Sequence, residues 1–273
     1  MDRDAILLRN NVNVRGDGDT TLLFAHGFGC DQTIWNQVAP QFYNKCKVVL
    51  FDYVGSGESD LNAYDEHRYD SLDGYAQDLV EVIKALELDN IVLVAHSVSG
   101  SISAIAYPEI KQRLKHIVML NPSPRYIHDE PDYESGFAKE DVDQLIMMME
   151  QNFFGWAQTL APQVMENPER PELTEQLHHH FTAGENRIVR AFARATFYSD
   201  TRDKLSSVDC PVTILQADKD IVVPKQVAEY TAAHLPNATL EEIDARGHYP
   251  HVSAPELIVR HIESLTESSD ITV

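Results

Sequence analysis

Leu93-Val94-Ala95-His96-Ser97-Val98-Ser99-Gly100 is the stretch whose reading decides the fold. Residues Asn90 to Ala95 form a short run rich in Ile, Leu and Val, which marks a buried strand. Small residues follow, and Ser101 to Tyr107 then reads as a helix. Strand, sharp turn with Ser at its apex, and helix make a nucleophile elbow, in which the turn lifts the Ser hydroxyl above the sheet edge. The usual pattern is G-x-S-x-G. Here Ala95 and Ser99 stand where the glycines do, so the match rests on both being small. Many strand-to-helix turns carry a Ser as an ordinary N-cap, so the reading needs a base and a carboxylate from elsewhere in the chain.

Working outward, Thr21 to Ala25 and Lys47 to Phe51 are further apolar strands, and Asp73 to Leu88 carries helical spacing at Tyr75, Leu79, Val82, Ile83 and Leu86. This alternation predicts an α/β fold with a mostly parallel, doubly wound sheet. Ala5 to Val14 reads as two short β pieces, a hairpin at the sheet edge. Lys115 to Leu120, Pro211 to Ala217 and Thr239 to Ile243 continue the sheet, a final helix spans about Pro255 to Leu265, and Thr266 to Val273 is a polar tail. The glycines of Gly55-Ser56-Gly57 fit neither nucleotide-binding spacing and read as a turn.

From about Tyr126 to Ser207 strand signals stop, and helical patterns broken by Pro and Gly take over. The expected organisation is an α/β core of residues 1–123 and 208–273 with an inserted four-helix cap, 124–207. The cap is rich in large apolar side chains, and about half are expected to line a pocket. Phe28, His96, Phe137, Trp156, Phe192 and Phe197 are the candidate substrate-binding residues. Consecutive His178-His179-His180 point about 100° apart on a helix and lack the spacing of a metal site, so no metal is expected.

A serine hydroxyl needs a base, and the base needs a partner that fixes its tautomer. The chain offers Ser97, then an Asp after the Pro211–Ala217 strand, then a His after the last strand, which is the order of α/β-hydrolases. Asp218 and Asp220 both follow that strand. Asp220 is preferred, because the turn Ile221-Val222-Val223-Pro224 can hold it across from the His loop. His251 competes with His248, but Gly247 permits the tight loop that a base at His248 requires. His26-Gly27-Phe28-Gly29 follows its strand directly, so the N–H groups of Phe28 and Val98 are the candidate oxyanion hole. A dehalogenase is disfavoured because its nucleophile would be an Asp at position 97; cofactor-free perhydrolysis uses the same triad and stays open.

The chain has 43 acidic residues against 22 Lys and Arg, a formal charge of −21, which repels phosphate backbones and argues against nucleic acid. No apolar run is long enough to span a bilayer, so no membrane association is expected. Met1-Asp2-Arg3-Asp4 does not begin a secretion signal, and three cysteines without metal spacing suggest free thiols, hence a cytoplasmic expectation.

His26-Gly27-Phe28-Gly29-Cys30-Asp31-Gln32, Phe51-Asp52-Tyr53-Val54-Gly55-Ser56-Gly57, His96-Ser97-Val98-Ser99 and Ser123-Pro124-Arg125-Tyr126 resemble one α/β-hydrolase branch. It contains the bacterial stress-response regulator RsbQ and the plant strigolactone and karrikin receptors. The likeness runs through nearly the whole chain, with departures at Ala95, in a slightly short Ile102–Leu114 segment and in the acidic tail. It implies a four-helix cap over a hydrophobic pocket, hydrolysis of small apolar esters or lactone-like ligands, and no cofactor. It also implies a slow reaction that serves signalling, with a PAS-domain phosphatase as partner in the bacterial branch. The alternative is a ligand-gated module whose cap recruits a partner protein, hydrolysis being secondary.

Overall fold

A computed structural model describes residues 2–267. Seven strands form one sheet: β1 (Asn13–Arg15), β2 (Thr21–Ala25), β3 (Lys47–Leu50), β4 (Ile91–His96), β5 (Leu114–Leu120), β6 (Val212–Lys219) and β7 (Ala238–Arg246). Their spatial order is β1-β3-β2-β4-β5-β6-β7; β1 runs antiparallel to β3 and every other pairing is parallel. Every residue of β2 and β4 is buried, so both faces of the central sheet are covered, as parallel strands require. The helices are α1 (Arg3–Arg9), α2 (Leu72–Ala85), α3 (Val98–Ile110), α4 (Lys139–Gln151), α5 (Phe153–Met165), α6 (Pro171–Ala183), α7 (Asn186–Phe197), α8 (Lys225–His234), α9 (Pro250–Ser253) and α10 (Pro255–Glu267). The interior strands and α2 fall where the sequence placed them, to within a few residues. Helices α4 to α7 occupy the connection between β5 and β6. Of the polar tail, residues 268–273 lie outside the described residues.

The amino-terminal reading is corrected. Ala5 to Val14 is not two β pieces: α1 fills the first half, and only β1 pairs at the sheet edge. Ile6 and Arg9, three residues apart, share the buried face of α1. Arg9 is buried because Asp78 of α2 sits 3.3 Å from its guanidinium and Glu81 sits 2.7 Å away. The Asp78 carboxylate, fully buried, also accepts from the Val54 amide at 3.0 Å, from Arg68 at 2.8 Å and from the Tyr69 hydroxyl at 2.9 Å. Burial pushes its pKa up while these partners pull the other way. One carboxylate thus fastens α1, α2 and the loop after β3. Asp78→Ala removes the buried one of the two carboxylates that Arg9 and Arg68 share and is expected to cost about 3–5 kcal/mol, measured as a lowered urea midpoint; a loss under about 1 kcal/mol would show that the cluster is not a fastening.

Candidate active site

β4 ends at the elbow. Ser97 has φ 54° and ψ −120°, a backbone conformation that L residues avoid and that persists only where the surroundings impose it. Here its amide donates to Leu120 O of β5 at 2.8 Å, and α3 starts at the next residue. Ser99, in the second small position, is fully buried and donates to His26 O at 2.6 Å, which ties the elbow to the loop after β2.

The structure brings Ser97, His248 and Asp220 together. His248 Nδ1 donates to Asp220 Oδ2 at 2.6 Å, which leaves Nε2 with its lone pair facing Ser97 Oγ, 2.7 Å away. Asp220 Oδ1 accepts from the amides of Val222 and Val223, so the turn after it does hold it in place, whereas Asp218 is exposed. Gly247, φ +81°, gives the tight approach to His248: a Cβ there would lie 2.1 Å from Met165 O of α5. The His248 amide donates to Val164 O at 2.8 Å, and Asn167 Nδ2 bridges Met165 O and Arg246 O. The base loop therefore hangs from the end of α5. Asn121, which the sequence showed only as the end of a strand, accepts from the Ala217 amide at 2.9 Å and donates to Gly247 O at 3.4 Å.

Ala25 of β2 pairs with Ala95 of β4, so the loops carrying Phe28 and Val98 leave the same edge side by side. Among the described residues neither amide donates to another group. Neither amide is therefore spent on the fold.

Ser97 opens into a cavity of about 30 Å³, room for about one water molecule. Phe28, Phe137 and Phe197 line it as expected, with Phe181, Leu145 and Leu160 beside them. Three candidates do not. Trp156 packs behind Phe28 and Phe181, at ring distances of 6.2 and 5.2 Å. Phe192 stacks on Tyr75 at 4.1 Å and lines a separate cleft of about 470 Å³. His96 lies behind His248, not in front of it. Ring size and hydrophobicity are common to all these residues; helix rotation separates them, and that is not written in local sequence. Tyr126 was missed altogether. Its hydroxyl is 3.2 Å from Ser97 Oγ and, with the Ser97 proton directed at His248, donates to that oxygen; burial pushes the phenol up, so the donor keeps its proton.

His180 is buried and donates to Asp31 at 3.3 Å, joining α6 to the loop after β2, while His179 is exposed. Among the described residues no three His, Cys, Asp or Glu side chains converge as metal ligands.

The sequence profile described as the alpha/beta hydrolase family matches residues 22–261. The chain belongs to that family. Among the relatives of this hydrolase, the karrikin insensitive 2 receptor IA of Petunia hybrida is 35% identical, covering 96% of this chain and 95% of that one. The strigolactone esterase D14 of Arabidopsis thaliana is 34% identical over 96% of this chain and 98% of its own. A solved hydrolase from Oleispira antarctica is 39% identical, superposes with a TM-score of 0.95 and covers 98% of each chain.

Behind the site sit three buried histidines that burial holds uncharged: His26 lowered, His96 well below its ordinary value, His251 pushed down to about 3. His251, the rejected alternative base, stacks on Trp35 at 4.3 Å, and neither ring nitrogen has a partner among the described residues. In the unfolded chain its imidazole takes up a proton near the ordinary value of 6.5; in the folded protein uptake waits until about 3. The unfolded state binds the extra proton between those values, so stability falls as pH drops below 6.5. Each such histidine contributes a slope of about 1.4 kcal/mol per pH unit. His251→Phe, which keeps a ring on Trp35, is expected to lose less stability between about pH 7 and about pH 5 than wild type, by urea unfolding. Equal losses would refute the burial of a neutral imidazole there.

Proposed function

We propose that this protein hydrolyses small hydrophobic carboxylic esters or lactone-like ligands, with Ser97 as nucleophile, His248 as base and acid, and Asp220 as its orienting partner. The observation that carries the reading is the unbroken line from Asp220 through His248 to Ser97, at 2.6 and 2.7 Å, opening onto an apolar cavity. Ser97 Oγ attacks the carbonyl carbon as its proton passes to His248 Nε2. The oxygen that gains charge accepts from the Phe28 and Val98 amides, a contribution worth about 10²–10³ in turnover per donor. His248 returns the proton to the leaving oxygen, and an acyl group remains on Ser97. Water, deprotonated by the same imidazole, then releases the acid and restores the serine. Tyr126 donates to Ser97 Oγ between turnovers. The three cysteines are free and buried, in keeping with a reducing, cytoplasmic setting.

One observation favours a second reading, a ligand-gated signalling module. The cavity at Ser97 has room for about one water molecule, so an ester needs it widened, and a shift of helices α4 to α7, which supply Leu145, Leu160, Phe181 and Phe197 to its wall, would do that. That shift is a change a partner protein could read, and relatives named as receptors support the idea. Ligand-dependent destabilisation with very low turnover, plus ligand-dependent retention of a partner, would favour it.

Slow cleavage of a short-chain p-nitrophenyl ester is expected, falling to background in Ser97→Ala. A fluorophosphonate is expected to add its mass to Ser97. Asp220→Asn should lower kcat by about 10⁴-fold, and Asp218→Asn should leave it within about twofold. Undiminished hydrolysis by Ser97→Ala would overturn the assignment.

A further inference from the structure

His96 is fully buried, and the reaction written above gives it no task. Its place is nevertheless specific. Nε2 lies 2.8 Å from the backbone oxygen of His248. A carbonyl only accepts, so Nε2 carries the ring proton and Nδ1 carries the lone pair. Burial keeps the ring neutral, so this tautomer persists wherever the enzyme works. Nδ1 has no partner among the described residues and faces Gly27: a Cβ on Gly27 would lie 2.4 Å from it. The rings of Tyr249 and His251 pack against the imidazole at 4.9 and 4.4 Å. His96 thus ends the nucleophile strand, holds the base loop by a hydrogen bond, and occupies the space that the loop after β2 leaves by having glycine at 27.

We propose that His96 is a positioning residue, which sets the distance between the His248 loop and the Gly27–Phe28 loop while its own backbone leads into Ser97. The proposal rests on the Ser97–His248–Asp220 reading. A carbonyl that strays by an ångström takes its imidazole with it, and misplacements of that size cost about 10²-fold in rate without touching ligand binding.

The test compares His96→Leu, His96→Gln and Gly27→Ala on the p-nitrophenyl ester. Wild type must first be shown to lose activity in Ser97→Ala, so that failure of the triad reading is recognised separately. His96→Leu removes the donor and is expected to lower kcat about 10- to 100-fold with KM within about twofold. The amide nitrogen of Gln stands as many bonds from Cα as His Nε2, and His96→Gln is expected to recover most of the loss. Gly27→Ala pushes on the imidazole from the other side. Its loss of kcat should largely vanish in a His96→Ser background, where the methyl has room, a coupling that independent sites do not show. If His96→Leu does not fold, the Gln variant and the Gly27 pair decide. Full kcat in folded His96→Leu, no recovery by Gln, or additive effects of the Gly27 and His96 changes would each overturn the proposal.

Discussion

The hydrogen bond between Ser97 Oγ and His248 Nε2 joins residues 151 positions apart, and most of the local oddities of this chain exist to make it. Ser97 is held in a left-handed conformation so that its hydroxyl stands clear of β4. Gly247 takes a positive φ because α5 comes within van der Waals distance of it and leaves no space for a side chain. Asn121 spends both ends of its amide on β6 and on the residue before the base. None of these features adds to the core. Each is a local strain or a buried polar group that tolerates its position because the central strands around it are buried on both faces.

The surroundings of that bond are largely apolar. Aromatic rings close over the hydroxyl, and neutral imidazoles sit behind the base. In such a medium the Asp220 carboxylate lies against His248 Nδ1, where it can compensate a charge that appears on the imidazole.

How much of this was legible in the sequence depends on whether the information runs along the chain or across it. Strand runs, glycines after strands and the order Ser97, Asp220, His248 are linear signals, and they placed the sheet and the three side chains. Asp220 was separable from Asp218 because a turn with amides to offer follows it, which is again a local property. The failures are lateral. Arg9 belongs to a helix because Asp78 waits for it on α2, and a β reading of Ala5 to Val14 had no access to that partner. Phe181 faces the cavity while Trp156 and Phe192 do not, a choice made by how four helices dock. His96 was grouped with the candidate substrate-binding residues, yet it lies behind His248.

The attachment of the base loop to α5, through Val164 O and the crowding of Gly247 against Met165, has a mechanical corollary. Leu160 and Val164 of α5 form part of the cavity wall, and the imidazole beneath is tethered to the end of the same helix. Room above the nucleophile and the seating of its proton acceptor thus share one anchor, so the two cannot be tuned separately at that helix end.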